Sequence, residues 1–302
     1  MRPEHLEVAV LGPGAIGGLL GALLARGGNS VLVLGSESTS RAVAERGLRV
    51  ESRRFGDFQV PMRTAVRLET RVDVCLITVK ATQLREALER VPRDALGQGL
   101  VIPFLNGIEH VELLRSIYPP SSVAPATIRV EAARVEQGLI RQTSPFASVE
   151  IAALGDRRHR LELIAAQLKA TGLDVRVRQD ETAMLWDKLA ILAPLALLTT
   201  HERANAGGIR TRRREDLLAV IREVAAVAHA EGATVDPEVV VRFLDSAPET
   251  MESSMQRDQA AGRPLEIDAI GGAVIRRATR TGVAVPVTAR LVEQISARTR
   301  TT

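Results

Sequence analysis

The first part of the chain alternates short apolar runs with stretches whose apolar positions recur at helical spacing. The apolar runs are 8–11, 30–34, 73–79 and 100–105. Continuous runs of this length are typical of buried parallel strands. The helical positions after the first run are Ile16, Leu19, Leu20, Leu23 and Leu24. Strands that alternate with helices in this way predict an α/β domain built on a parallel sheet.

Extended backbone is also predicted in two less regular segments. Apolar and polar residues alternate over 48–66, which predicts two edge strands. The pattern of residues 122–142 predicts extended segments that turn at Gly138. After an amphipathic helix, residues 173–177 have the pattern of a last strand. We therefore predict that the α/β domain covers residues 1–178.

Long helices dominate the rest of the chain. The helix predicted over residues 182–198 is apolar except at Asp187 and Lys188. Such a helix is buried, and a lysine within it is unusual. Further segments with helical spacing follow, and we predict an all-helical domain over residues 179–302.

A glycine motif joins the first strand to the first helix. Gly12, Gly14 and Gly17 form G-x-G-x-x-G, with a strand before it and a helix after it. In this context the glycines allow a tight turn, close approach to a pyrophosphate, and close packing of helix on strand. The pattern predicts a Rossmann-type dinucleotide-binding domain, and a purely structural glycine turn is the alternative. The candidate cofactor residues of the turn are Gly12, Pro13, Gly14, Ala15, Ile16 and Gly17.

Composition narrows the possible partners. The net charge is +4, but only 2% of the 302 residues are aromatic, which leaves little on which nucleic acid bases could stack. No apolar run approaches the roughly 18 residues of a spanning helix. The lone cysteine, Cys75, lies in an apolar run and reads as a core residue. We expect no nucleic acid, membrane or metal partner, and a cytoplasmic location.

Lysine is rare in this chain. Lys80, Lys169 and Lys188 are the three lysines among 40 basic residues. Lysine can give up its proton in a protein, whereas arginine cannot. The three lysines are therefore candidates for chemistry, and retention by chance is the alternative.

Polar residues at the ends of predicted strands are candidates for cofactor contacts. Lys80 and Asn106 follow the third and fourth apolar runs, and ligands of open α/β sheets bind outside the carboxyl ends of the strands. Ser36 follows the second strand, where NAD enzymes carry an acidic residue. With Arg41 nearby, Ser36 favours the 2′-phosphate of NADP, although Glu37 would repel that phosphate.

Taken together, the motifs resemble those of the ketopantoate reductases (2-dehydropantoate 2-reductases), within the 6-phosphogluconate dehydrogenase-like group. They cover nearly the whole chain in the same order. The matching segments are 12–18, 78–81, 106–108, 185–189, 253–255 with Asp258, 266–268, 271–272 and 282–286. The resemblance implies NADPH-dependent reduction of 2-dehydropantoate, or a related 2-oxo acid, to the 2-hydroxy acid, a step of pantothenate biosynthesis.

The resemblance also implies a role for each matching residue. Lys188 would be the general acid, and Glu266 the carboxylate that holds the substrate hydroxyl and the lysine, near the cofactor. Ser254 would donate to the substrate carboxylate. Asn106 would bridge cofactor and substrate, and Lys80 would line the cofactor site. An ion pair between buried helices is the structural alternative for Lys188 and Glu266.

Two departures from the family pattern leave alternatives open. Leu192 and Ala196 stand where the family has asparagines, with Pro194 interrupting the helix. The arginine that follows the second strand in the family is replaced by Ser36. Two alternatives therefore stay open: a reductase of a more apolar 2-oxo acid, and a non-catalytic NADP-binding sensor. NADH is the less favoured cofactor, and the assembly expected is a monomer or a homodimer.

Overall fold

The computed structural model describes residues 5–300 except 154 and 156. The chain divides into two compact units, and the boundary lies between Glu181 and Thr182. The segment Asn106–Glu109 belongs to the second unit. The first unit is α/β and the second is helical, so the predicted fold class is confirmed. The limits 1–178 and 179–302 remain a prediction, because the units divide three residues later and exchange a four-residue segment.

A five-stranded parallel sheet forms the centre of the first unit. Its strands are β1 (Glu7–Leu11), β2 (Ser30–Leu34), β5 (Arg63–Ala65), β6 (Val74–Ile77) and β7 (Leu100–Pro103), in the order β5-β2-β1-β6-β7. Every pair in it is parallel. All four residues of β6 and of β7 are buried. Parallel sheets are covered on both faces, which explains why these strands read as continuous apolar runs.

A second five-stranded sheet completes the first unit. Its strands are β3 (Leu48–Ser52), β4 (Phe58–Val60), β8 (Ala126–Glu136), β9 (Leu139–Ala152) and β10 (Asp174–Arg178). The order is β10-β9-β3-β4, and β8 pairs with β9. The prediction of two edge strands over residues 48–66 is wrong for β3, which pairs with both β4 and β9. Its partner in β9 lies about 90 residues away in sequence, and local alternation carries no information about such a partner.

Helix α1 (Ala15–Arg26) packs against both sheets, and every residue from Gly17 to Leu24 is buried. A Cβ at Gly18 would lie 2.7 Å from Ile140 of β9. A helix that is covered all round has apolar residues on every face. Side chains from both sheets and from α1 therefore form one core, with the second face of the first sheet covered by a separate cluster.

The remaining helices fall into two groups, one in the first unit and one that forms the second unit. In the first unit they are α2 (Glu37–Arg46), α3 (Leu84–Leu88), α4 (Arg93–Leu96), α5 (His110–Ile117) and α6 (Arg158–Ala170). In and after the crossing to the second unit they are α7 (Glu181–Glu202), α8 (Ala206–Arg212), α9 (Arg214–Ala230), α10 (Pro237–Ser246), α11 (Ser254–Ala260), α12 (Ala273–Thr281) and α13 (Pro286–Arg300). A π-helix, Asp268–Gly272, leads into α12.

Helix α7 is the longest of the described helices and runs without a break through Pro194. The interruption predicted at this proline is therefore wrong, because the rest of the buried helix holds the segment in place. By length and composition alone, α7 is the one helix among residues 5–300 that meets the criteria for a membrane span, which the sequence reading did not anticipate. Of its most apolar 18-residue segment, 67% is buried inside the protein, as in the core helix of a globular unit.

Candidate active site

The glycine turn between β1 and α1 is fixed by backbone contacts and by one side chain. Gly12 has a φ of +89°, and its amide donates to the Leu34 carbonyl at the end of β2 (3.0 Å). The Thr78 hydroxyl, just after β6, lies 2.9 Å from the carbonyl oxygen of Leu11 and 2.7 Å from that of Gly12. A hydroxyl has one proton, so this is a shared hydrogen bond. Three strand ends therefore hold the turn.

The other two glycines of the motif have contrasting surroundings. A Cβ at Gly17 would clash with the Thr78 hydroxyl and the Gly12 carbonyl oxygen, so only glycine lets α1 lie this close to the turn. A Cβ at Gly14 would meet no atom of the described residues within 4 Å, apart from its chain neighbours. The first amides of α1 follow directly, and helix N-termini attract anions. The open space at Gly14 therefore fits a pyrophosphate.

Hydroxyl groups cluster at the end of β2. The Ser36 hydroxyl accepts from the Thr39 amide (3.4 Å) and lies 3.1 Å from the hydroxyls of Ser38 and Thr39. Ser36 is exposed. The Arg90 guanidinium donates to the Gly35 carbonyl (3.1 Å), immediately before Ser36. The end of β2 thus has a guanidinium that the sequence reading did not find, because Arg90 lies 55 residues further along the chain.

The three lysines differ in exposure. Lys80 directly precedes a 3₁₀ turn after β6 and is half-buried, whereas Lys169 is exposed near the end of α6. Lys188 is half-buried on α7. The exposed Lys169 is a solvated surface residue, so the chemical interpretation of the lysines is kept for Lys80 and Lys188.

One face of α7 carries Lys188 and the residues that follow it at helical spacing. With about 100° per residue, Leu192, Leu195 and Thr199 lie within about 40° of the direction of Lys188. Leu192 is half-buried, Leu195 is almost fully buried, and Ala196 beside them is fully buried. The wall next to the lysine is therefore apolar for two helical turns.

Thr199 connects this face of α7 to the start of α11. Its hydroxyl donates to the Leu195 carbonyl (2.7 Å) and accepts from the Ser253 hydroxyl (2.8 Å). Ser253 in turn caps α11 by accepting from the Gln256 amide (3.1 Å). Ser253 is buried and Ser254 is exposed. The buried chain of hydroxyls thus fixes the position from which Ser254 presents its own hydroxyl.

Asn106 and Glu266 meet within the second unit although 160 residues separate them. The Asn106 amide donates to the Glu266 carboxylate with an Nδ2 to Oε2 distance of 3.0 Å. Glu266 is only 7% exposed. The π-helix Asp268–Gly272 begins two residues later. Single-turn π-helices are frequent at functional sites, and a buried carboxylate beside one is a candidate for chemistry.

A cavity of about 680 Å³ lies near the other end of α7, in the second unit. His201, Arg213 and Arg290 contribute to its lining. Arg213 pairs with Glu202 (2.8 Å) and Arg290 with Asp216 (2.5 Å), so these charges are already matched by acids. His201 is 13 residues from Lys188, or about 20 Å along the helix. The cavity is therefore separate from the candidate residues.

The predicted site residues fall into two sets. The glycine turn, Ser36 and Lys80 belong to the first unit. Asn106, Lys188, Ser254 and Glu266 belong to the second. Of these residues, Asn106 and Glu266 are joined by a direct hydrogen bond. Asn106 follows β7, a strand of the first unit, yet its segment belongs to the second unit.

The chain matches two family models, which together span most of its length. These are Ketopantoate reductase PanE/ApbA over residues 8–156 and Ketopantoate reductase PanE/ApbA C terminal over residues 180–299. The chain belongs to the ketopantoate reductase family. Family membership makes it an oxidoreductase that acts on CH–OH groups with a nicotinamide dinucleotide, and supports the reduction of a 2-oxo acid. The alternative of a non-catalytic sensor is set aside on this ground.

Individual relatives share both the length and the fold. A 2-dehydropantoate 2-reductase of Mycobacterium tuberculosis (strain ATCC 25618 / H37Rv) is 34% identical over 302 residues, covering 96% of this chain and 97% of the relative. A PanE/ApbA family ketopantoate reductase from Ralstonia eutropha JMP134 has 27% identity and a TM-score of 0.88, covering 98% of this chain and 99% of that one. A D-mandelate dehydrogenase in complex with NADH has 25% identity, a TM-score of 0.88 and the same coverage.

Proposed function

We propose that this protein reduces 2-dehydropantoate, or a closely related 2-oxo acid, to the 2-hydroxy acid with NADPH. The observation that carries the proposal is the buried Glu266 carboxylate, which accepts from Asn106 in the same unit as Lys188. An ammonium and an amide can donate to a 2-oxo acid, the ammonium can supply a proton to it, and a carboxylate can accept from a substrate hydroxyl. The 34% identical relative named for this reaction supports the proposal.

The first unit would hold the cofactor. Gly12, Gly14 and Gly17 shape the turn, and the open space at Gly14 fits the pyrophosphate. Ser36 and Arg90 offer a hydroxyl and a guanidinium at the end of β2, which supports NADPH over NADH because a 2′-phosphate needs donors and positive charge. Lys80 would line the same site. When bound, the cofactor supplies the hydride that reduces the carbonyl carbon.

The second unit would supply the remaining chemistry. Negative charge develops on the carbonyl oxygen of the 2-oxo acid, and the Lys188 ammonium would stabilise that charge and transfer a proton to the oxygen. Glu266 would accept a hydrogen bond from the new hydroxyl group, with Asn106 holding the carboxylate in place. Ser254 would donate to the substrate carboxylate. The result is a 2-hydroxy acid and a neutral lysine that takes a proton back from solvent.

The apolar wall of α7 favours a second candidate substrate. Leu192 and Ala196 offer no hydrogen bond to a hydroxyl at the far end of a substrate. A pocket that cannot bond a hydroxyl discriminates poorly between a substrate that has it and one that lacks it. A 2-oxo acid with a fully apolar tail is therefore the alternative to 2-dehydropantoate. We propose that in either case the enzyme works in the cytoplasm as a monomer or a homodimer.

A matched pair of substrates tests the proposal. 2-Dehydropantoate differs from 3,3-dimethyl-2-oxobutanoate only by its terminal hydroxyl, so the ratio of their kcat/KM values isolates that group. We expect both acids to accelerate the oxidation of NADPH, which is measured by absorbance. A kcat/KM for 2-dehydropantoate well above that for 3,3-dimethyl-2-oxobutanoate would favour 2-dehydropantoate. A ratio near or below one would favour the apolar acid, and phenylglyoxylate extends the series. Failure of every 2-oxo acid in the panel would overturn the proposed function.

A further inference from the structure

The segment that carries Asn106 lies directly against the segment that carries Glu266. Gly107 has a φ of +82°, and a Cβ at this position would clash with the carbonyl oxygen of Ala269. Glycine is therefore required twice over, by the backbone conformation and by the close approach. The two chain segments, 106–109 and 266–269, meet backbone to backbone.

One arginine from outside both segments bonds to each of them. The Arg276 guanidinium, on α12, donates to both Glu109 carboxylate oxygens, with Nε to Oε1 at 3.0 Å and Nη2 to Oε2 at 2.6 Å. It also donates to the Asp268 carboxylate (Nη1 to Oδ1, 2.7 Å) and to the Asp268 carbonyl (3.0 Å). The hydrogen bonds that Arg276 donates to Glu109 and, next in size, to Asp268 raise the pKa of Arg276 further above its ordinary value. Both carboxylates are thus engaged by one planar, permanently charged group.

The two carboxylates that Arg276 contacts lie close in sequence to Asn106 and Glu266. Glu109 is three residues after Asn106, and Asp268 is two residues after Glu266. We propose that Arg276 is a positioning residue, which holds Asn106 and Glu266 at hydrogen-bonding distance by clamping the segments that carry them. This inference rests on the proposed function, in which Glu266 accepts from the substrate hydroxyl and Asn106 holds that carboxylate in place.

The three side chains of this arrangement all reach solvent, to different degrees. The side chains of Arg276, Glu109 and Asp268 are 47%, 32% and 80% exposed. Exposed ion pairs contribute little to the free energy of folding. A bidentate guanidinium nevertheless fixes geometry, and a displacement of about 1 Å at a reacting group can cost about a hundredfold in rate. The expected effect is therefore on turnover more than on unfolding.

Variants at residue 276, in two backgrounds, separate positioning from a general loss of structure. Arg276→Ala, Arg276→Lys and the control Arg280→Ala are compared in the wild-type chain and in Asn106→Ala. Arg280 lies one turn later on α12 and pairs with Glu231 (2.7 Å), which belongs to neither segment. Steady-state kinetics with NADPH and the best 2-oxo acid give kcat and the KM for NADPH. Hydrogen exchange by mass spectrometry follows the amides of residues 106–109.

We expect Arg276→Ala to lower kcat about tenfold or more, with the KM for NADPH unchanged and faster exchange over 106–109. Lysine lacks the planar fork that bonds both Glu109 oxygens, so Arg276→Lys should recover only part of kcat. In the Asn106→Ala background, Arg276→Ala should have no further effect on kcat. Arg280→Ala should match the wild type in all three measurements.

Two results would overturn the positioning role. One is wild-type kcat in Arg276→Ala, and the other is an equal loss of kcat with and without Asn106. If Asn106→Ala itself leaves kcat unchanged, the proposed role of Asn106 fails and the clamp has no catalytic meaning. If the wild-type chain reduces no 2-oxo acid, the proposed function fails, and unchanged exchange over 106–109 in Arg276→Ala then also overturns the clamp.

Discussion

The two halves of the candidate site are built in different ways. In the first unit, the turn at Gly12 is shaped by backbone contacts, and Gly17 is confined by the Thr78 hydroxyl and a carbonyl oxygen. In the second unit, side chains do the shaping, as in the Asn106–Glu266 pair and the Arg276 clamp. Such a backbone site leaves no room for a side chain at its crowded glycines, Gly12 and Gly17. A side-chain site depends on partners that lie far apart in sequence.

The difference predicts how each half fails when it is altered. In the first unit, a change at the packed part of the turn, such as Gly17, should act on folding and cofactor affinity together, because that part of the turn also packs the helix on the strand. Changes in the second unit should act on turnover and substrate affinity, with little effect on the cofactor. The following variants test this contrast, beginning with the largest effect.

Replacing Lys188 with alanine should cause the largest loss. Without the ammonium, this face of α7 offers leucines and a Thr199 hydroxyl that already donates to the Leu195 carbonyl, and general acid catalysis typically contributes about 10² to 10⁴ in rate. We expect kcat to fall by that factor. The Kd for NADPH, measured by its fluorescence, should stay unchanged.

Lys169→Ala is the matched control for this change, because Lys169 is exposed on α6. It should keep wild-type kcat. Equal turnover of Lys188→Ala and wild type would remove the general acid role.

Replacing Gly17 with alanine should damage stability and cofactor binding at once. The added methyl group meets a hydroxyl and a backbone carbonyl oxygen, and overpacking typically costs about 1–3 kcal/mol. Urea unfolding measures the loss of stability, and a raised Kd for NADPH reports the displaced turn.

Gly14→Ala sharpens the same contrast within one motif. Its methyl group would enter open space, so the free energy of unfolding should stay within about 0.5 kcal/mol of wild type. Its Kd for NADPH should rise all the same, because that space is where we expect the pyrophosphate. Wild-type affinity in Gly14→Ala would place the pyrophosphate elsewhere.

Replacing Arg90 with alanine should change the choice of cofactor. Hydrogen bonds to charged groups contribute about 1.5–3 kcal/mol, so the KM for NADPH should rise at least about tenfold. The KM for NADH should not change, because NADH lacks the 2′-phosphate. Arg85→Ala, at an exposed position on the preceding helix, is the control. Equal losses for both cofactors would show that Arg90 only supports the loop through its bonds to Gly35 and Val66.

Two neighbouring threonines on α7 give the smallest effect and the closest control. Thr199→Val breaks the bond to Ser253 and should destabilise the chain by about 1–2 kcal/mol while raising the KM for the 2-oxo acid. The Thr200 hydroxyl is buried and makes no hydrogen bond among the described residues. Thr200→Val should therefore be neutral or stabilising. Identical behaviour of the two variants would show that the hydrogen bond between Thr199 and Ser253 does not fix the position of Ser254.

The sequence predicted four of the five strands of the first sheet well because local patterns specify them, whereas β5 was expected only within the edge-strand segment 48–66. Buried parallel strands are continuous apolar runs, and Ser30–Leu34 was predicted with the limits that β2 has. The glycine motif was legible for the same reason, since turn, strand and helix all lie within 20 residues. The sequence did not predict that the strands of the second sheet form one sheet. β3 and β9 pair across about 90 residues, and local patterns do not indicate so distant a partner.

The second half of the candidate site depended on resemblance. Nothing in the spacing of Asn106 and Glu266 reveals a contact over 160 residues, and the motifs of the family supplied both positions. Arg276 was not predicted at all, because in a chain this rich in arginine one more on a helix reads as a solvated side chain. Its role emerges only from the two carboxylates that the fold brings to it.

The scarcity of lysine makes this protein convenient for spectroscopy. A 32.6 kDa chain with isotope label only in lysine has three side-chain amines to resolve, at residues 80, 169 and 188. The exposed Lys169 serves as an internal reference against which the other two can be compared during a pH titration or on adding ligand. The protonation of the amine proposed to drive the reaction can therefore be watched directly, one residue at a time, without altering the chain.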